Sequence, residues 1–124
     1  MRSSQLCRIL LVDDLADNLF LMQTLLETEG YDVDVANNGR LALTKIEASP
    51  PDLVLLDVMM PEINGYEVTR CIRQNDTLPF IPILLITAYD ETGLIQGLDV
   101  GANDFIRKPI NFDELLAKIR ELCQ

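Results

Sequence analysis

Short apolar runs alternate with stretches of helical spacing along the whole chain, and no other feature limits its fold as strongly. "RILLVDD" (8–14) is the first run, and "NLFLMQTLLETEG" (18–30) follows it with a stripe at Leu21, Met22, Leu25 and Leu26 that closes on Gly30. "YDVDVA" (31–36) alternates with period two, as an edge strand does, and "GRLALTKIEAS" (39–49) is helical until Pro50 and Pro51 stop it. "DLVLLD" (52–57) and "IPILLIT" (81–87) read as buried strands, with the helix "GYEVTRCIRQN" (65–75) between them. "ETGLIQGLDVGA" (91–102) is a weak helix, because Gly93 and Gly97 each cost up to about 1 kcal/mol relative to alanine. "DFIRK" (104–108) is a short strand, and "NFDELLAKIREL" (111–122) a strong helix with its stripe at Phe112, Leu115, Leu116 and Ile119. Five strands alternating with five helices predict an α/β fold with a parallel sheet covered on both faces. Unbroken apolar strands are what burial on both faces requires.

The chain has 124 residues, 48% of them hydrophobic, which is one domain's worth and enough to bury a core. We therefore expect a single domain over residues 1–124. No stretch reaches the roughly 20 continuous apolar residues of a membrane span, and no apolar signal core precedes the first run. Cys7, Cys71 and Cys123 are far apart and lack CxxC spacing, a pattern expected of reduced thiols in a cytoplasmic protein rather than a disulfide or zinc framework. The net charge of −10 argues against direct binding to nucleic acid.

In open parallel sheets, ligands bind beyond the carboxyl ends of the strands. Here "ILLV" leads into Asp13 and Asp14, "LVLL" into Asp57, "ILLI" into Thr87 and "DFIR" into Lys108. Parallel strands bring these groups to one rim. Three crowded carboxylates repel, so at least one should have a raised pKa unless a cation joins them. A site of carboxylate oxygens with open positions for water and phosphate suits Mg²⁺.

The pieces "LLVDD", "LVLLDVMMPEINGYE", "LLITA" and "DFIRKPI" occur in that order. Through them the chain resembles the receiver domain of two-component response regulators, from Arg8 to Leu122. The resemblance implies a doubly wound, flavodoxin-like five-stranded sheet of order 2-1-3-4-5 with five helices. It implies that Asp57 accepts a phosphoryl group from a phosphohistidine on a sensor histidine kinase or histidine phosphotransfer protein. It implies that Asp13, Asp14, Asp57 and the Met59 carbonyl hold Mg²⁺, that Thr87 and Lys108 bind the phosphoryl group, and that Phe105 is the switch aromatic. Lys108 and Pro109 match a pair joined by a cis bond in the family. Such a domain catalyses its own phosphorylation and dephosphorylation, and its product is a conformational state read by an output domain or effector protein. The chain has no histidine and cannot be the phosphohistidine donor.

Other functions on this fold fit less well. A flavodoxin needs a Ser/Thr/Gly-rich phosphate loop where "VDDLADNL" stands, and a haloacid-dehalogenase-type phosphatase needs a second aspartate that "LDVMMP" lacks. A degenerate receiver, acting only as a binding module, would have lost an acid, the threonine or the lysine. The extra apolar residues Leu15, Leu19 and Phe20 point either to deeper burial of the first helix or to a docking patch beside the site. The helix after Asp90 has no lysine or arginine up to Gly101, which argues against the salt-bridged receiver dimer that uses that helix. Met59 and Tyr89 stand two positions beyond Asp57 and Thr87. Neither matches the polar groups that orient hydrolytic water in fast receivers, so a long-lived phosphorylated state is expected.

Overall fold

The computed structural model describes residues 7–88 and 99–123. In chain order its elements are β1 (Arg8–Val12), α1 (Ala16–Thr28), β2 (Asp32–Ala36), α2 (Gly39–Ala48) and β3 (Leu53–Asp57). They are followed by α3 (Gly65–Gln74), β4 (Ile83–Thr87), β5 (Asp104–Arg107) and α4 (Phe112–Leu122). The strands form one sheet in the order β2-β1-β3-β4-β5, and every pairing is parallel.

Side chains alternate across the sheet, because successive residues of a strand face opposite sides. Leu10, Val12, Val54, Leu56, Ile83 and Leu85 form one buried layer with Ala42 and Ile46 of α2 and Val68 and Ile72 of α3. Ile9, Leu11, Leu53, Leu55, Leu84, Ile86 and Ile106 form the other layer with residues of α1 and α4. The central strands β3 and β4 are buried at every position, so their unbroken apolar runs follow from having a core on each side.

Asparagines start three of the helices. The Asn38, Asn64 and Asn111 side chains accept the amides of Leu41, Glu67 and Glu114, and Glu67 returns a bond to the Asn64 amide to complete a capping box. Gly65 is required for space: a Cβ there would lie 2.7 Å from the Asp57 carbonyl oxygen and 2.8 Å from the Val58 Cα. The start of α3 therefore rests directly on the backbone that carries Asp57.

The structure corrects two sequence expectations and leaves a third outside the described residues. Four helices stand among the described residues; the weak helix expected over 91–102 falls mostly on residues 91–98, outside them, and Tyr89, Gly93 and Gly97 also lie outside them. In α1 the buried stripe is Leu19, Met22 and Leu26, whereas Leu15, Phe20 and Leu21 are exposed at 55%, 74% and 57%. The helix is rotated so that Leu19 takes the core position expected of Leu21, because the 19, 22, 26 spacing follows one face at 3.6 residues per turn. The cysteines are not all free: Cys7 and Cys123 form a disulfide, and only Cys71 remains as a thiol. The ends of β1 and α4 bring together two residues that are remote in sequence. Among the described residues no helix is long and apolar enough to cross a membrane.

Candidate functional site

Asp57 closes β3 at the carboxyl edge of the sheet and is 1% exposed. β1 and β4 flank β3, so the residues ending those two strands meet it there. Asp13, also buried, and the half-buried Asp14 follow β1; one carboxylate oxygen from each of Asp13, Asp14 and Asp57 lies within 4.8 Å of the others. Lys108 follows β5 and reaches across β4, placing Nζ 3.3 Å from Asp57 Oδ1 and 3.4 Å from Oδ2. The Lys108 amide donates to the Thr87 carbonyl at 2.8 Å, and the Val58 amide to the Ile86 carbonyl at 3.0 Å. These bonds extend the sheet ladder just past the strand ends and fix the rim. The Lys108–Pro109 bond is cis.

Asp57 also accepts the Met59 amide at Oδ1, 3.2 Å away. Its pKa is raised above the usual 3.8, first by burial and then by the charge of Asp13; Lys108 and the Met59 amide oppose the rise without cancelling it. The pocket thus holds more negative charge than its one ammonium offsets. A hard divalent cation that takes oxygen ligands fits this donor set.

Every polar side chain expected at the rim is found there, but not all of them engage Asp57. Thr87 is buried, and its hydroxyl donates to the Ala88 carbonyl at 2.9 Å. Phe105 pairs with Leu85 in the β4–β5 register and is half-buried against the α2/α3 layer. The Met59 side chain is 69% exposed, while its amide faces Asp57.

One participant was missed from the sequence. Asn18 donates from Nδ2 to Asp13 Oδ2 at 3.2 Å, and the Leu15 amide donates to Asp13 Oδ1 at 3.0 Å. Asp13 therefore steadies the start of α1, whose own N-cap residue Leu15 offers no side-chain bond. Asn18 on the first turn of a helix that follows two aspartates was the available signal.

Comparison with known proteins agrees with this geometry. The sequence matches the response regulator receiver domain family over residues 9–120. It is 45% identical to response regulator PleD of Caulobacter vibrioides over 118 residues, which is 94% of this chain and 26% of that protein. It is 44% identical to response regulator ArlR of Staphylococcus saprophyticus, covering 94% of this chain and 52% of that one. The chain thus spans from about a quarter to about half the length of these curated relatives. Among solved structures, the chemotaxis protein CheY4 of Vibrio cholerae superposes with a TM-score of 0.87 at 30% identity, covering 94% of this chain and 98% of that one. The signal receiver domain of a signal transduction histidine kinase from Syntrophus aciditrophicus gives 0.87 at 33% identity, covering 94% and 89%.

Proposed function

Because the chain belongs to the response regulator receiver domain family, we propose that residues 1–124 act as one cytoplasmic receiver domain whose phosphoacceptor is Asp57. The observation that carries this reading is a buried carboxylate held 3.3 Å from the Lys108 ammonium and grouped with two further carboxylates. A structural aspartate is rarely left in such crowding.

A carboxylate oxygen of Asp57 attacks phosphorus as the nucleophile. The new O–P bond forms as the P–N bond to the donor's phosphohistidine breaks, and the donor imidazole leaves. Asp13, Asp14, Asp57 and the Met59 carbonyl would hold Mg²⁺, which would supply positive charge beside the phosphoryl oxygens. Lys108 pairs with the same oxygens, exchanging part of its contact with Asp57 for contact with the product. The Thr87 hydroxyl leaves the Ala88 carbonyl and donates to the phosphoryl group, and Phe105 repacks beside it. The Met59 amide keeps the acceptor carboxylate oriented. The output is this change of packing, read by an attached domain or an effector protein, rather than a metabolite.

The donor is a sensor histidine kinase or a histidine phosphotransfer protein. Leu15 at the N-cap of α1 and Phe20 and Leu21 on the helix are exposed, and they provide apolar docking contacts for it. The test uses acetyl phosphate and Mg²⁺ with intact-protein mass as readout. Wild type gains one phosphoryl group and Asp57→Ala gains none. Equal labelling of the variant would remove Asp57 from its role.

A further inference from the structure

Cys7 and Cys123 are separated by 116 positions in sequence and by 5.9 Å between their Cα atoms. Backbone contacts place each of them independently of the bond between them. The Cys7 carbonyl accepts the Asp32 amide at 3.2 Å, which ties it to the start of β2, and the Cys123 amide donates to the Ile119 carbonyl at 2.9 Å. Both pack on the apolar layer beneath α1 and α4, together with their neighbours Tyr31 and Leu122. Opening the bond leaves two thiols facing each other, and such a pair has the high effective concentration of an intramolecular reaction. Both cysteines are only half-buried, so a small thiol reaches either sulfur. Cys71, exposed on α3, is free.

We propose that Cys7 and Cys123 form a reversible thiol–disulfide exchange site that latches the last turn of α4 to the entry of β1. Its exchange partners are a dithiol reductant and a low-molecular-weight disulfide. On opening, a reductant thiolate attacks one cysteine sulfur, a mixed disulfide forms, and the other cysteine leaves as a thiolate. The reductant's second thiol then attacks the mixed disulfide. Two electrons have passed to the protein pair, and the reductant departs as its own disulfide. On closing, a cysteine thiolate attacks the low-molecular-weight disulfide and releases one thiol. The second cysteine displaces the other, so that the small disulfide has taken up the two electrons.

The latch lies at the other end of α4 from a groove next to the acidic pocket. Phe112 at the start of α4 lines this groove of about 340 Å³ with Leu21, Met22 and Leu25 of α1 and with Lys108 and Pro109. The start of α4 is fixed by the Asn111 cap and its end by the disulfide. Reduction frees only the end, at the opposite edge of the sheet from Asp57, so the exchange chemistry does not depend on phosphorylation.

The full chain is reduced with dithiothreitol or oxidised with glutathione disulfide, alkylated, and read by intact mass and by hydrogen exchange. The expected result is one alkylated cysteine in the oxidised form and three in the reduced form, both folded by circular dichroism. Amides of Ile119 to Cys123 exchange at least about tenfold faster when the bond is open. Cys71→Ser behaves like wild type apart from losing one alkylation, and Cys7→Ser exchanges at the faster rate in both buffers. Failure of the pair to close in the folded protein, closure only through linked dimers, or equal exchange of α4 in the two forms would each overturn the proposal.

Discussion

At the residue scale, the cost of the site is concentrated in Asp57. Its pKa is raised from 3.8 by burial and by Asp13. The protonated acid is therefore the form that folding favours. The stability it contributes is fully present below pH 3.8 and is lost as pH rises through the raised value. At neutral pH the ionised group is a constant penalty. Asp57→Asn should therefore raise the melting temperature of the metal-free protein at pH 7 and give little or no gain at pH 3.5. A gain independent of pH would mean that charge is not the cause. A second residue-scale prediction concerns lifetime. Met59 presents an exposed thioether, a weak acceptor with no donor, where fast receivers place a polar group. Met59→Asn with Tyr89→Glu should shorten the phosphorylated lifetime about tenfold, a change of about 1.4 kcal/mol in barrier. The readout is decay of the phosphorylated protein after donor removal in Mg²⁺ buffer, and unchanged decay would contradict the prediction. The rim residues were legible in sequence because each follows an apolar strand. Asn18 was not, since its role depends on how α1 turns back over Asp13.

At the scale of elements, α3 links the acceptor to the strands that carry its partners. Its first residue, Gly65, sits on the Asp57 backbone, and near its last turn Arg73 donates to the Gly101 and Ile81 carbonyls and to Asn103 Oδ1, at 2.9, 2.8 and 2.8 Å. The guanidinium also stacks 4.7 Å from the Phe80 ring centroid. Asn103 Oδ1 accepts the Ile83 amide as well, so Arg73 anchors the entries to both β4 and β5. Arg73→Ala should cost about 2–3 kcal/mol, because it leaves part-buried carbonyls without a charged donor; urea unfolding that gives less than about 0.5 kcal/mol would contradict this. On α1, Phe20→Ala should slow phosphotransfer from a protein donor several-fold while leaving labelling by acetyl phosphate unchanged. Equal effects on both donors would remove the docking role. Among the described residues the element types were readable from period, and α4 buries Leu115, Leu116 and Ile119 of its expected stripe. The α1 stripe was misread because apolar residues surround much of that helix, so periodicity leaves its rotation undetermined.

At the scale of the whole molecule, two layers of core hold a sheet whose carboxyl edge is crowded with like charge. A ligand that binds only the folded state stabilises it by RT ln(1 + [L]/Kd). Millimolar Mg²⁺ should therefore raise the melting temperature of wild type and do so much less in Asp57→Asn; a flat wild-type titration would remove the acidic pocket from the account. The fold class was legible because alternation of periods is a global property of the chain. The Cys7–Cys123 pairing was not, since contact across 116 positions depends on where β1 begins and α4 ends in space. The most direct test of the central claim is to locate the acyl phosphate itself. Wild type is phosphorylated with acetyl phosphate and Mg²⁺, reduced with borohydride, which converts an aspartyl phosphate to homoserine, and sequenced by tandem mass spectrometry. The account predicts homoserine at position 57 and intact aspartate at 13 and 14. Homoserine at 13 or 14, with aspartate retained at 57, would contradict it.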